Sequence, residues 1–276
     1  MNNATFQAMK KKVPLILLMY FLACPFFRWY QLKNELLFDG SLTEGAFMHR
    51  VLLLLALTFI AGFCLIVYGL KNIPEHKNCL SGKPLSKLAQ FAAAILLLLG
   101  NGSRALAGMD TTGAYTEVSA TLMNVLPYLG IWSGLCIILF ANKSRKGETP
   151  SPLLYMAVSI YLVIRLIVWF QEWNMDPSIH DYAYKLLAAI FTMLGCFQIS
   201  GFCFNKGKRR ITTLWCLCSA FFCAISIPDY LSTDLSELMI TCAFLLLTLT
   251  FALELLYAPD PVEMPSVEEA PAELPE

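Results

Sequence analysis

Eight stretches of mostly apolar residues, each close to twenty residues long, succeed one another along the chain at about 13–30, 51–70, 86–108, 118–141, 153–172, 183–204, 211–228 and 237–257. Roughly twenty residues at 1.5 Å each is what an α-helix needs to cross about 30 Å of hydrocarbon. Helices are required because lipid offers no partner to a free backbone N–H or C=O, and the period-two alternation of a membrane barrel is absent. The pattern predicts an all-α, polytopic transmembrane helix bundle of about eight spans over residues 13–257. Lys10, Lys11 and Lys12 followed by an apolar stretch ending at Leu22-Ala23-Cys24 have the outline of a bacterial lipoprotein signal. Phe21 and Leu22 are poor matches to it, Pro25 follows directly and the apolar run continues to Tyr30, so an uncleaved first span is expected.

The polar gaps set the topology. Lys10, Lys11 and Lys12; Lys71, Lys77, Lys83 and Lys87; Lys143, Arg145 and Lys146; and Lys206, Lys208, Arg209 and Arg210 fall in every second gap and comprise 14 of the 20 basic residues. Lys and Arg are retained on the cytoplasmic side, so both termini are expected to be cytoplasmic, with a basic N-terminal segment at 1–12. The alternate, outer gaps are acidic, with Glu35, Asp39, Glu44, Asp110, Asp176, Asp181 and Asp234, and Trp29, Tyr30, Trp169, Trp173, Tyr182, Tyr184 and Tyr230 gather at the outer boundary. Residues 258–276 hold five prolines and six acidic residues with no base, which reads as a disordered cytoplasmic tail. A weak four-plus-four tandem repeat is suggested by Gly62-Phe63-Cys64 in the second span and Gly201-Phe202-Cys203 in the sixth.

Composition agrees with a lipid environment: 57% of residues are apolar and only 14% charged, where a soluble domain carries about a quarter. Nucleic acid is excluded as a partner because the bases are split among separate short loops. Of the ten cysteines, nine lie within apolar runs and Cys79 in an inner loop, so neither a disulfide framework nor a zinc site is implied. No cofactor is expected. Ile131-Trp132-Ser133-Gly134 has only a superficial likeness to an intramembrane serine protease, since no His lies within a span. With no His-Glu-x-x-His, no phosphate-cradling glycine loop and no paired intramembrane carboxylates, an enzyme is not expected.

Six bases remain outside the clusters: Arg28, Lys33, Arg50, Arg104, Arg165 and Lys185. Arg165 is the sharpest, lying between Val163-Ile164 and Leu166-Ile167, where facing lipid would cost roughly 1 to 3 kcal/mol depending on depth. The functional reading is that Arg165, Arg50, Arg104, Lys185 and Arg28 converge on an outward-facing polar pocket for an anionic or lipid-headgroup ligand, with Asn101, Asn124, Gln171, Glu172 and Asp229 at comparable depth. The plainer reading is that each base snorkels to the interface or pairs with a neighbouring carboxylate. Gly100-Asn101-Gly102-Ser103 and Pro228 are expected to interrupt the third and seventh spans. Gly130, Ser133 and Gly134 form a small-residue surface for close helix contact, and Glu254 is expected to reach the inner interface.

Arg165-Leu166-Ile167, Trp173, Asp176-Pro177, Asp181-Tyr182, Gly201-Phe202 and Gly207-Lys208-Arg209-Arg210 are similar to a stretch of uncharacterised multi-spanning proteins of anaerobic Gram-positive gut bacteria. The resemblance covers about a sixth of the chain, and implies a bacterial plasma membrane without implying an activity. The expectation is therefore a non-enzymatic membrane protein, a sensor or accessory component, contacting the bilayer and an unidentified cytoplasmic or membrane protein. The alternative is a small-molecule or lipid transporter.

Overall fold

The computed structural model describes residues 3–35, 46–70, 80, 84–107, 117–173, 179–231 and 233–258, with the backbone alone at 3–10, 117–120, 172–173 and 179–181. Eight long helices make up these residues: α1 (Asn3–Asn34), α2 (Phe47–Tyr68), α3 (Pro84–Ala107), α4 (Glu117–Arg145), α5 (Leu153–Trp173), α6 (Ile179–Cys203), α7 (Arg209–Tyr230) and α8 (Leu235–Tyr257). All eight hold a segment long and apolar enough to cross a membrane, and no strand occurs among the described residues. This is the all-α, eight-span architecture expected of a multi-pass integral membrane protein.

The helices extend past their apolar runs because polar side chains satisfy their terminal backbone groups. At the start of α8, Asp234 Oδ1 accepts from the N–H of Ser236 (2.8 Å) and Glu237 (3.1 Å). The start of α2 is capped from outside, by Glu35 accepting from the N–H of Met48 (2.7 Å) and His49 (3.1 Å). Arg209 donates to the carbonyls of Leu255 (2.7 Å) and Ala258 (2.7 Å), closing the far end of α8, and Arg210 donates to the Leu70 carbonyl beyond α2. Two bases from the fourth cluster thus bind helix ends, in addition to any part they have in setting topology.

Helices α3 to α8 pack in chain order as a ring, with α8 returning to lie along α3, while α1 and α2 sit outside it against α7. Enclosed from both sides, α7 is buried without interruption from Cys216 to Ser226, which explains its lack of an amphipathic pattern. Phe59 stacks on Phe221 with ring centroids 4.2 Å apart, seating α2 on α7. Phe140, Tyr155 and Phe251 tie α4, α5 and α8 together. In a four-helix duplication α2 and α3 would correspond to α6 and α7. The latter pair packs along its length and the former does not, so the two halves are packed differently.

The expected break at Gly100-Asn101-Gly102 is absent: α3 runs through it to Ala107. A Cβ on Gly100 would lie 2.7 Å from Ile240 Cγ1 and 2.9 Å from the Ser236 carbonyl oxygen. The glycine therefore permits close approach to α8. Asn101 stays helical by donating from Nδ2 to the Leu97 carbonyl (2.9 Å). Pro228 likewise lies inside α7. The small-residue surface on α4 does meet a neighbour: a Cβ on Gly130 would lie 2.1 Å from Asn101 Oδ1, and one on Gly134 2.8 Å from Leu98 Cγ.

One end of the bundle, the termini end, holds the start of α1 and the end of α8; the opposite end is called distal below. Ion pairs fix the alternation of direction, since α3 meets α8 through Lys87 and Glu254 (3.0 Å) at the termini end and through Arg104 and Asp234 (2.6 Å) at the distal end. Lys87 also donates to the Leu80 carbonyl (2.9 Å), and Ser86 to Glu254 (2.6 Å). Glu254 does not reach an interface as expected. Its side chain is 5% exposed, because Lys87 and Ser86 compensate it inside the protein.

Candidate functional site: the cationic cleft at the distal end

Arg165 lies eight residues before the end of α5 at Trp173, about 12 Å along the axis at 1.5 Å per residue. Its side chain is 3% exposed. The adjacent valine, isoleucines and leucine are satisfied by lipid or core, whereas the guanidinium requires polar partners at that depth. It finds them inside the ring, donating from Nη1 to the Tyr161 hydroxyl (3.0 Å) and from Nη2 to Glu237 Oε2, while stacking 4.3 Å from the Trp169 ring centroid. Tyr161 donates onward to Asn101 Oδ1 (3.1 Å).

Glu237 is the residue that organises the site. Its second oxygen, Oε1, accepts from Arg104, so one buried carboxylate bridges α3 and α5. Arg104 in turn reaches Asp234 Oδ2 (2.6 Å). Burial alone would raise the Asp234 carboxyl. The hydrogen bond and charge of Arg104, with the two N–H groups of the α8 cap, outweigh it and hold the group below its ordinary value. Glu237 escaped the sequence reading because it stands at the first residue of an apolar run, where an acid ordinarily meets water. The signal that could have found it is the need of Arg165 for a carboxylate at matching depth.

A small, partly open cleft lies between α5, α6, α7 and α8. Arg165 and Trp169 from α5, Lys185 from α6 and Tyr230 from α7 form its upper part. Below them Ala188, Ala189 and Phe244 line it, along with the hydroxyls of Thr192, Ser226 and Thr241. The Lys185 ammonium lies 4.9 Å from the Tyr230 ring centroid and meets no carboxylate among the described residues. Arg165 Nε is covered and has no acceptor among them.

The structure therefore brings together part of the expected set. Arg165, Arg104 and Asn101 form one hydrogen-bonded network, and Lys185 shares the cleft with Arg165. Arg28 and Asp229 form a neighbouring cluster. Both are buried, with Nε donating to Oδ1 (2.8 Å), Nη1 donating to Gln31 Oε1 (2.9 Å) and the guanidinium 5.0 Å from the Tyr184 ring centroid. Arg50 and Asn124 do not converge. Both are exposed, because they lie on faces of α2 and α4 turned away from neighbouring helices. The side chain of Glu172 lies outside the described residues, as does that of Asp181. Ser133 donates to the Leu129 carbonyl (2.8 Å) on its own helix and meets no His.

Among the described residues no group of three or more His, Cys, Asp or Glu side chains could hold a metal ion. Comparison of the chain with protein-family models, with curated proteins and with solved structures found no match.

Proposed function

We propose that this chain is a non-enzymatic integral membrane protein that binds an anionic group, free or carried on a lipid headgroup, in the distal-end cleft. It acts as a sensor or accessory component. The observation that carries the reading is the pairing of two cations, Arg165 and Lys185, on one cleft between Trp169 and Tyr230, with Lys185 lacking a carboxylate among the described residues. A cation so placed retains capacity for a charge-assisted hydrogen bond from a ligand. The exposed Lys143, Arg145, Lys146, Lys206 and Lys208 at the termini end support cytoplasmic termini. The resemblance of the Arg165 region supports a bacterial plasma membrane. Signalling in this reading passes through a separate protein docked on the basic loops or the acidic tail.

Native mass spectrometry of the purified full chain, offered phosphatidylglycerol, phosphatidylcholine and simple anions, tests the reading. Retention of an anionic species that Lys185→Gln abolishes is expected; equal retention by both proteins overturns it. A transporter reading has one observation in its favour. Glu237 and Glu254 pair with bases of α3 at opposite ends of α8, 17 residues and about 26 Å apart at 1.5 Å per residue. The α3–α8 seam is thus held by an ion pair at each end, an arrangement that suits a permease opening one end at a time. Saturable uptake into proteoliposomes that is lost with Lys185→Gln would favour that reading.

A further inference from the structure

The cleft contains information about the size and charge of what it holds. Counting the charged side chains of the network, Arg104, Arg165 and Lys185 face Asp234 and Glu237. Three cations against two carboxylates leave a single positive charge in surplus among the described residues. A dianion would over-compensate the cleft, and a neutral ligand would leave the surplus uncompensated in a setting that disfavours bare charge.

The enclosed room is narrow. The cleft is partly open, and the space within it holds about one water-sized particle. A headgroup with several heavy atoms does not fit there without side chains moving.

The floor offers one uncommitted hydroxyl. Thr192 Oγ1 is 2.6 Å from the Ala188 carbonyl oxygen and 2.7 Å from Ser219 Oγ, and Ser226 donates to the Phe222 carbonyl (2.9 Å). Thr241 is 7% exposed, and no hydrogen bond of its hydroxyl is found among the described residues. The cleft thus combines one hydroxyl with an unused donor and one ammonium, beside the charge of Arg165, whose Nε–H is covered. Aromatic walls and apolar Phe244 and Leu162 surround them. Such donors, in a small water-poor space, match a compact, weakly hydrated monoanion.

We infer, building on the anion-binding reading above, that the cleft is a halide-sized monoanion site in which Lys185 and Arg165 supply the charge and Thr241 donates the hydroxyl. Chloride is the physiological candidate of that chemistry.

The test uses the purified full chain in nanodiscs of zwitterionic lipid in gluconate buffer. Thermal stability is followed while chloride, bromide, sulfate or gluconate is added at constant ionic strength. Saturable stabilisation by chloride and bromide, and none by sulfate or gluconate, is expected. Lys185→Gln should weaken the halide response about tenfold or more, as loss of a charged hydrogen bond implies. Thr241→Val should weaken it about three- to tenfold, as a neutral one implies. Lys185→Arg should retain it, which controls for folding. Halide stabilisation that neither Lys185→Gln nor Thr241→Val alters overturns the assignment. Absence of any halide response, with sulfate or phosphatidylglycerol bound through Lys185, overturns the halide inference and leaves the anion-binding reading standing. If no anion of either kind acts through Lys185, both fall.

Discussion

Replacing Glu237 by Gln keeps the size and the acceptor oxygen of the side chain and removes one negative charge shared by two arginines. The consequences for them differ. Arg104 is 18% exposed and keeps Asp234, whose side chain is 39% exposed, so water and a second carboxylate soften its loss. Arg165 is 3% exposed and has no other carboxylate within salt-bridge distance among the described residues. It would keep the neutral Tyr161 hydroxyl and the Trp169 face. Removing one partner of a buried pair costs about 3–5 kcal/mol, because an uncompensated charge stays behind. For a chain of this size that corresponds to a fall in Tm of about 6 to 20 °C. Six described cysteines are buried, so a thiol-reactive dye reports unfolding directly on purified protein. The double variant Arg165→Met with Glu237→Gln should regain part of the loss, since the stranded cation has gone. A Tm for Glu237→Gln within 2 °C of wild type, an order-of-magnitude bound on a surface substitution, would refute the claim that this carboxylate holds Arg165 in place.

Three further outcomes follow from the same geometry. Gly130→Ala, whose Cβ would lie 2.1 Å from Asn101 Oδ1, should cost about 1–3 kcal/mol by overpacking; Gly102→Ala meets nothing within 4 Å and should leave Tm unchanged or raised by the same dye assay. Lys87→Met should destabilise by about 3–5 kcal/mol through the Glu254 charge it strands, with Glu254→Gln in the same chain recovering part, and a double variant no better than the single would contradict the pairing. Asp234 has a lowered folded-state value, so its stabilisation is present above the unfolded carboxylate value and is lost as pH falls through the folded one. Tm should therefore drop below about pH 4, and Asp234→Asn should flatten that part of the profile in acid titrations.

The eight apolar runs were enough to place the eight long helices of the described residues, because lipid leaves the backbone no alternative. Helix ends were less legible. The run at 13–30 becomes a helix from Asn3 to Asn34, and α2 begins where Glu35, outside it, meets Met48 and His49. Such caps come from partners distant in sequence or on another helix. Among candidate site residues, Arg165 was legible from its depth alone. Arg50 and Asn124 looked equivalent in depth and proved exposed, because depth is a property of one helix while the direction a residue faces depends on its neighbours. Gly100-Asn101 read as a break for a similar reason: helix propensity is local, and the contact with Ile240 and Ser236 that makes Gly100 useful is not.

The position of α8 also bears on how the protein can be made. The described helices that precede it carry Lys87, Arg104 and Arg165, whose carboxylate partners Glu254, Asp234 and Glu237 all lie between residues 234 and 254. As the chain emerges from the ribosome those three cations are made before their counter-ions exist. Arg209 likewise waits for the carbonyls of Leu255 and Ala258. Water or an insertion factor must shelter them until the eighth helix arrives. A chain stalled before residue 234 therefore holds three cations without their carboxylates, and the closing of α8 along α3 and α5 is the step that neutralises them.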